Sequence, residues 1–375
     1  MIYLNCHTWY SLRYGTFSVE KLCELAREFK VESLAITDIN NTSACLNFIK
    51  IASEYDVKPI VGIDFRNGVD QQYIGLAKNN EGFRQLNEHL SQQLHLKKDF
   101  KPEAPELPDC IIIYPFEKVL ANKKTNFRNN EFIGVSVESL RKLKFSKYLE
   151  FKDKLVLQQS VSFRNKRDYN AHRLLRAIDN NILLSQLPES EQGSFSHQMI
   201  ASEIITSEFE DFSYILENTQ ELVNACRVDF KFGKTQNRNL LVSGDSPEAD
   251  VARLRKLCDD NLPKRYPKLE TEVLERVEKE LNAIIKLGFV SYFLINYDIV
   301  SYARSQNFPF IGRGSGANSI IAYIIGITNV DPVELDLYFE RFINESRSSP
   351  PDFDIDFSWK DRNEVTDFIF DKYEF

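Results

Sequence analysis

Along the first half of the chain the apolar positions switch repeatedly between two periods. After Ser18, whose hydroxyl suits an N-cap, Val19, Leu22, Cys23, Ala26 and Phe29 recur at helical spacing and would bury one stripe. Residues 33–37 then read as a short buried strand and 44–55 as a helix. Further apolar runs of strand length fall at 60–65, 73–77, 110–114, 133–137 and 155–158, with helical patterns at 81–90, 138–148 and 166–180 between several of them. Strands that alternate with helices favour parallel βα units, hence an α/β barrel or a doubly wound sheet. Periodicity does not decide between the two. The composition turns polar and turn-rich at 188–193 and again at 233–247, which predicts a change of domain near 230–245. Three helical patterns follow, at 247–262, 269–287 and 292–305. A Gly-rich turn at 311–316 then opens an apolar helix through Ser319-Ile320-Ile321-Ala322-Tyr323.

Length agrees with two domains, because 375 residues exceed what one hydrophobic core usually supports. A hydrophobic share of 43% argues against extensive disorder. No apolar run is long enough to span a bilayer, and Met1-Ile2-Tyr3-Leu4-Asn5 lacks the basic and apolar regions of a secretory signal. The six cysteines are scattered and never approach Cys-x-x-Cys spacing, as expected of buried thiols in a reducing cytoplasm. A net charge of −8 points away from a simple nucleic-acid binder unless the basic surface lies beyond these residues. The stretch from Asp367 to Phe375 keeps helical periodicity without a closing Gly, Pro or polar tail, and reads as a cut inside a larger protein.

Candidate chemistry concentrates near the end. In Pro350-Pro351-Asp352-Phe353-Asp354-Ile355-Asp356-Phe357 acidic and apolar residues alternate strictly. On a strand this puts Asp352, Asp354 and Asp356 on one face and Phe353, Ile355 and Phe357 on the other. Carboxylates in such a row repel one another, so either cations sit on them or the face is widely solvated. Mg²⁺ is typically held by one or two carboxylates plus substrate phosphates, and paired ions about 3.5–4 Å apart serve phosphoryl transfer. The other reading is an edge strand whose charge discourages aggregation. Upstream, Gly312-Arg313-Gly314-Ser315-Gly316 would let a phosphate approach the backbone before a helix N-terminus, with Arg313 adding charge, although many such turns are only turns.

Together with Gly288-Phe289, Tyr292-Phe293-Leu294-Ile295, Asp331-Pro332 and Phe339-Glu340-Arg341-Phe342, these blocks resemble the palm of the bacterial DNA polymerase III alpha subunit family (family C). The resemblance implies a polymerase-beta-like nucleotidyltransferase fold of α+β type. It maps the catalytic metal ligands onto Asp352 and Asp354, with Asp356 a lesser candidate. Gly314 and Ser315 match the element that approaches the incoming triphosphate, and Arg313 is its neighbour. Arg341 matches an arginine that would either reach the triphosphate or pair with Glu340 or Asp336. Relatives carry Gly where this chain has Asn318, a departure that disturbs the phosphate-turn analogy. A third aspartate lies far downstream in the family, so these residues alone would hold an incomplete Mg²⁺ site and would not polymerise DNA.

The beginning of the chain carries a second resemblance. Asn5-Cys6-His7, Thr37-Asp38-Ile39 and Ile60-Val61-Gly62-Ile63-Asp64-Phe65 are similar to motifs of the polymerase-and-histidinol-phosphatase (PHP) domain, a distorted barrel of βα units that precedes the palm in the same family. Intact members hold metal ions with His, Asp, Glu and Cys ligands. Here the set is depleted: His-x-His reads Asn5-Cys6-His7, Thr-Asp-His reads Thr37-Asp38-Ile39, Glu is replaced by Asp64, a later His falls at Gln72, and Asp-x-His reads Ser160-Val161-Ser162. Asn5, His7, Asp38 and Asp64 therefore form a degenerate site, expected to hold no metal and to be structural.

The expected organisation is a PHP-like domain at 1–235 and a truncated palm at 236–375. The expected function is Mg²⁺-dependent transfer of nucleotides from dNTPs to a primer on template DNA, in a cytoplasmic protein. Family partners are a sliding clamp and a proofreading subunit. A non-catalytic scaffold, or a PHP-type phosphoesterase, is the alternative. A basic stretch from Arg141 to Arg167 faces either DNA, a partner or solvent.

Overall fold

The computed structural model describes residues 1–232, 241–244, 246–344 and 352–373. The boundary expected at 235/236, the prolines Pro350 and Pro351 of the acidic motif, and Glu374 and Phe375 lie outside the described residues. The chain divides into two compact units, Met1–Lys234 and Thr235–Phe375.

Eight strands of the first unit form one sheet: β1 (Ile2–Cys6), β2 (Ser33–Ile36), β3 (Lys58–Asn67), β4 (Asp70–Ala77), β5 (Cys110–Pro115), β6 (Glu131–Val135), β7 (Leu155–Leu157) and β8 (Ser160–Val161). Their order is β7-β6-β5-β4-β3-β2-β1-β8. The two edge strands are consecutive in sequence, joined only by Gln158 and Gln159. Three peptide steps reach at most about 11 Å. A flat sheet of this width would separate its edges by roughly 33 Å. The sheet is therefore curled until its edges approach, which makes a distorted, incompletely closed barrel.

Most pairings are parallel, as the alternation predicts, but β3–β4 and β4–β5 are antiparallel. The hairpin between β3 and β4 turns at Gly68, whose φ of +62° few other residues adopt. Alternate strand residues enter two separate cores. Tyr3, Leu34, Ile36, Val61, Ile63 and Phe65 join the larger one, while Ile2, Leu4, Ala35, Ile60 and Ile74 join a smaller one with Leu222, Val223 and Cys226. Ser18 caps the helix Val19–Glu28 by accepting the Lys21 N–H at 3.2 Å. The helical pattern at 138–148 resolves into Leu140–Lys144 and a 3₁₀ turn at Lys147–Glu150. In this basic stretch Lys142, Lys144 and Arg164 pair with Glu117, Asp211 and Asp168.

In the second unit the helices Pro247–Arg265, Thr271–Lys286, Val290–Ser305 and Ile320–Ile324 bury a common core. Against it lies an antiparallel ribbon of β9 (Phe310–Arg313) and β10 (Asp354–Phe357). The segment predicted as a turn at 311–316 is thus strand as far as Arg313, because Phe310 and Ile311 find partners more than forty residues later. Among the described residues no single helix is long and apolar enough to cross a membrane.

Candidate active site

The ribbon sets the acidic motif. Asp354 lies directly opposite Arg313, and Asp356 opposite Ile311. The two carboxylates and the guanidinium therefore share one face, as direct and diagonal neighbours. Arg313 Nε donates to Asp356 Oδ2 at 2.7 Å, and Nη1 donates to Asp354 Oδ2 at 3.3 Å. Phe353 and Ile355 point the other way, into the core of the unit. Phe353 stacks on Tyr292 at 5.4 Å and meets Phe293 edge-on at 5.2 Å, while its N–H donates to the Tyr292 hydroxyl at 2.7 Å. An aromatic anchor held at backbone and ring fixes the carboxylates on either side of it.

Two glycines let the turn reach the motif. Gly314 has φ +76°, and a Cβ there would stand 2.5 Å from Asp354 Oδ2. A Cβ on Gly316 would stand 2.3 Å from the Phe353 ring. Both distances are below any tolerated carbon contact: a side chain at 316 would displace the anchored Phe353 ring, and one at 314 would displace the Asp354 carboxylate and sit on strained backbone. Ser315 completes the contact with a long hydrogen bond, its hydroxyl donating to Asp352 Oδ1 at 3.4 Å. The structure thus brings together Arg313, Gly314, Ser315, Asp352, Asp354 and Asp356. Arg341 sits exposed on the turn Phe339–Arg341, and the neighbouring Glu340 carboxylate pairs with Lys279 at 2.6 Å. Hard carboxylate and hydroxyl oxygens against a side-chain-free turn are the donor set that suits Mg²⁺. Among the described residues no group of three or more His, Cys, Asp or Glu is arranged to hold a metal ion.

The helix after the turn departs from expectation. It has five residues, Ile320–Ile324, and its first N–H groups are already engaged. The Ser319 hydroxyl accepts from Ala322 N–H at 3.2 Å and donates to Glu280 Oε2 at 2.9 Å, and Ile321 N–H faces the same oxygen at 3.5 Å. A buried carboxylate therefore stands where the sequence suggests a phosphate. Burial pushes the Glu280 carboxyl up to about 7. Four residues earlier on the same helix, Arg276 donates from Nη2 to the carbonyls of Asn318 and Leu337 at 3.0 and 2.6 Å. Sequence reading missed both residues. The available signal was Glu280 itself, a carboxylate within the apolar stripe Val273, Val277, Leu281 and Ile284.

The remnant site of the first unit is closed in a different way. Asn5 donates to Ser160 Oγ at 2.8 Å and accepts from Thr37 Oγ1 at 2.9 Å. Asp38 accepts from Thr8 N–H, the Thr8 hydroxyl and the Ser11 hydroxyl at 2.6–2.7 Å. His7 bonds Ser162 Oγ through Nδ1 at 2.8 Å and Asp64 Oδ2 through Nε2 at 2.9 Å. That same oxygen accepts Arg66 Nε and Nη2 at 2.9 and 2.7 Å. The adjacent guanidinium and the His7 hydrogen bond hold the Asp64 carboxyl down at about 2 against the opposing effect of burial, which is the largest single influence. Gln72 is turned to Asp70. Almost every donor a metal would need is thus engaged by protein groups, and the residues present do not fit an ion. Arg66 was absent from the sequence-level set, although it lies only two residues beyond Asp64 on β3.

Comparison with known proteins agrees with this two-part organisation. Residues 4–128 match the family model of the PHP domain, and residues 252–374 match that of the Bacterial DNA polymerase III alpha NTPase domain. The DNA polymerase III subunit alpha of Pseudomonas fluorescens is 29% identical over 434 aligned positions. That of Ureaplasma parvum is 28% identical over 383, and that of Escherichia coli K12 is 27% identical over 427. Each match covers 99% of this chain and 36% of the relative, so the chain spans about a third of their length. With both domain matches in order along one chain, it carries PHP-domain sequence followed by polymerase III alpha NTPase-domain sequence, and it is similar over its whole length to the first part of bacterial DNA polymerase III alpha subunits.

Proposed function

We propose that β10 and the residues before it, set against the Gly314–Ser315 turn, form part of the nucleotidyl-transfer site of a DNA-directed DNA polymerase. The observation that carries this reading is the contact between Asp354 Oδ2 and the space a side chain on residue 314 would fill. That contact, with Ser315 on Asp352, makes the two carboxylates and the turn one unit. Asp352 and Asp354 would hold Mg²⁺, and Asp356 is the lesser ligand because Arg313 holds its Oδ2 more closely. Mg²⁺ bound there would neutralise phosphate charge and activate the attacking primer oxygen.

The chain's own residues position the substrates. Gly314 and Ser315 offer backbone and hydroxyl to the dNTP phosphates, without a side chain in the way at 314. Arg313 balances the carboxylates and stands within reach of a phosphate that draws it away. Arg341, exposed nearby in sequence, is a further candidate for the triphosphate. The remaining substrate is primer–template DNA. Residues 1–235 act as a PHP-like scaffold and 236–375 as the start of the palm, in the cytoplasm, with sliding clamp and proofreading subunit as family-level partners.

The test is Mg²⁺-dependent primer extension by this chain continued to the length of its relatives. Loss of a metal-holding carboxylate removes several kcal/mol of transition-state stabilisation, so Asp352→Ala and Asp354→Ala should each lower extension by at least about a thousand-fold. Asp356→Ala should cost less. A second reading is favoured by the Arg313 pairs, which neutralise the acidic face within the protein: a non-catalytic scaffold. Full extension by Asp354→Ala would favour that reading over catalysis.

A further inference from the structure

We infer that the guanidinium of Arg66 is the cation around which the remnant site of the first unit is built, standing in for the metal ions of intact PHP domains. The observations come from that unit alone and do not depend on the polymerase reading. Arg66 and Asp64 are 5% and 0% exposed. Charges so deeply buried persist only when paired and hydrogen-bonded. Both Nε and Nη2 of Arg66 converge on one oxygen, Asp64 Oδ2, which His7 Nε2 also contacts. The guanidinium carbon lies 4.9 Å from the centre of the Tyr14 ring, a cation–π position. Tyr14 in turn meets His7 and His172 edge-on.

The backbone of Arg66 is held just as firmly. Its N–H donates to Asn40 Oδ1 at 3.0 Å, and its carbonyl accepts from Asn40 Nδ2 at 2.8 Å. Asn40 belongs to the Thr37-Asp38-Ile39-Asn40 stretch, so two motif segments fix Arg66: this one holds its backbone, and the segment ending in Asp64 holds its guanidinium. A divalent ion would find both nitrogens of His7, both oxygens of Asp38 and Oδ2 of Asp64 already engaged. Asp64 Oδ1, which has no protein partner, is the one open donor among them. An ion bound there would face the positive charge of Arg66 across a buried carboxylate. The fixed cation makes the metal superfluous for charge balance and repels it.

Metal analysis and thermal unfolding of the 375-residue chain and its variants decide this. Metal analysis after purification without added metal should find no stoichiometric Zn²⁺, Mn²⁺ or Fe, and EDTA should leave the thermal unfolding of the first unit unshifted. Arg66→Met strands the Asp64 carboxylate and should lower that unit's midpoint by roughly 10 °C or prevent its folding. The double variant Arg66→Met/Asp64→Asn removes both charges and should recover most of the loss. Arg84→Met, at an exposed arginine, is the control and should shift nothing. The inference is overturned by stoichiometric metal, by a chelator-induced drop in the wild-type midpoint, by Arg66→Met behaving like the control, or by a double variant no better than the single one.

Discussion

The contact between Gly314 and Asp354 is where a single atom matters most. A methyl group on residue 314 would meet a carboxylate oxygen and would also sit on backbone at φ +76°. Gly68, at φ +62° with nothing within 4 Å of its Cβ position, shares the backbone strain without the collision. Both alanine variants should lose about 1–2 kcal/mol to left-handed strain. Only Gly314→Ala should lose more, and only it should reduce primer extension by the extended chain, because Asp354 must move. Equal destabilisation of the two variants in denaturant melts would remove the special contact. At this scale the alternation at 352–357 was readable directly, since Phe353 and Ile355 do enter the core while Asp354 and Asp356 face Arg313. The Arg313 pairs were not readable, because register across a forty-residue gap is set by tertiary packing. Arg66 was hidden for a related reason: reading for metal ligands draws attention to His, Asp and Glu and passes over a cation.

Among the elements, the helix Thr271–Lys286 does more than fill the core. Its Arg276 and Glu280 tie down the turn and helix that follow Gly314, through Asn318, Ser319 and Ile321. The Glu280 carboxyl is raised to about 7 by burial, against about 4.5 when exposed, so the folded state holds its proton between those values. Stability from this group is present below pH 4.5 and is lost as pH rises through 7, by at most about 3 kcal/mol. Glu280→Gln keeps a hydrogen-bonding side chain of the same size and should abolish that slope. The check is the unfolding midpoint of the second unit at pH 5 and pH 8, which should differ more in wild type than in the variant; parallel shifts would rule out Glu280 as the source. Legibility varied among elements too. Helices with one buried stripe, such as Val19–Glu28, were plain from periodicity. The strand Ile2–Cys6 was not, because all five of its residues are buried and complete burial erases alternation. The two-residue β8 is too short to carry a period at all.

For the whole molecule, periodicity left barrel and doubly wound sheet open and only the family resemblance implied a distorted barrel; the curl itself follows from β7 and β8 lying on opposite edges with two residues between them. The separation into two units has an independent thermal consequence, because each has its own core. In the first unit His172 is fully buried, with Nδ1 on the Tyr14 carbonyl and Nε2 accepting the Gly193 N–H. Protonation would turn Nε2 into a donor facing a donor. Burial holds His172 down at about 4 and His197 at about 3, and lowers His89 as well. For a base depressed in the folded state, the unfolded chain takes up the proton first. Stability from these histidines is present above pH 6.5 and is lost as pH falls towards 4. Asp38, raised by burial, opposes this trend alone against three histidines and the lowered Asp64. Glu280 gives the second unit the opposite dependence. Calorimetry between pH 7.5 and 5 should therefore show two transitions, with the first unit's moving down and the second unit's moving up as the solution is acidified. Hydrogen exchange assigns each transition to its unit. His172→Gln should weaken the first response, to which His197 and His89 still contribute, and Glu280→Gln should flatten the second, each without touching the other; a single transition, or two that move together, would mean that the units do not unfold independently.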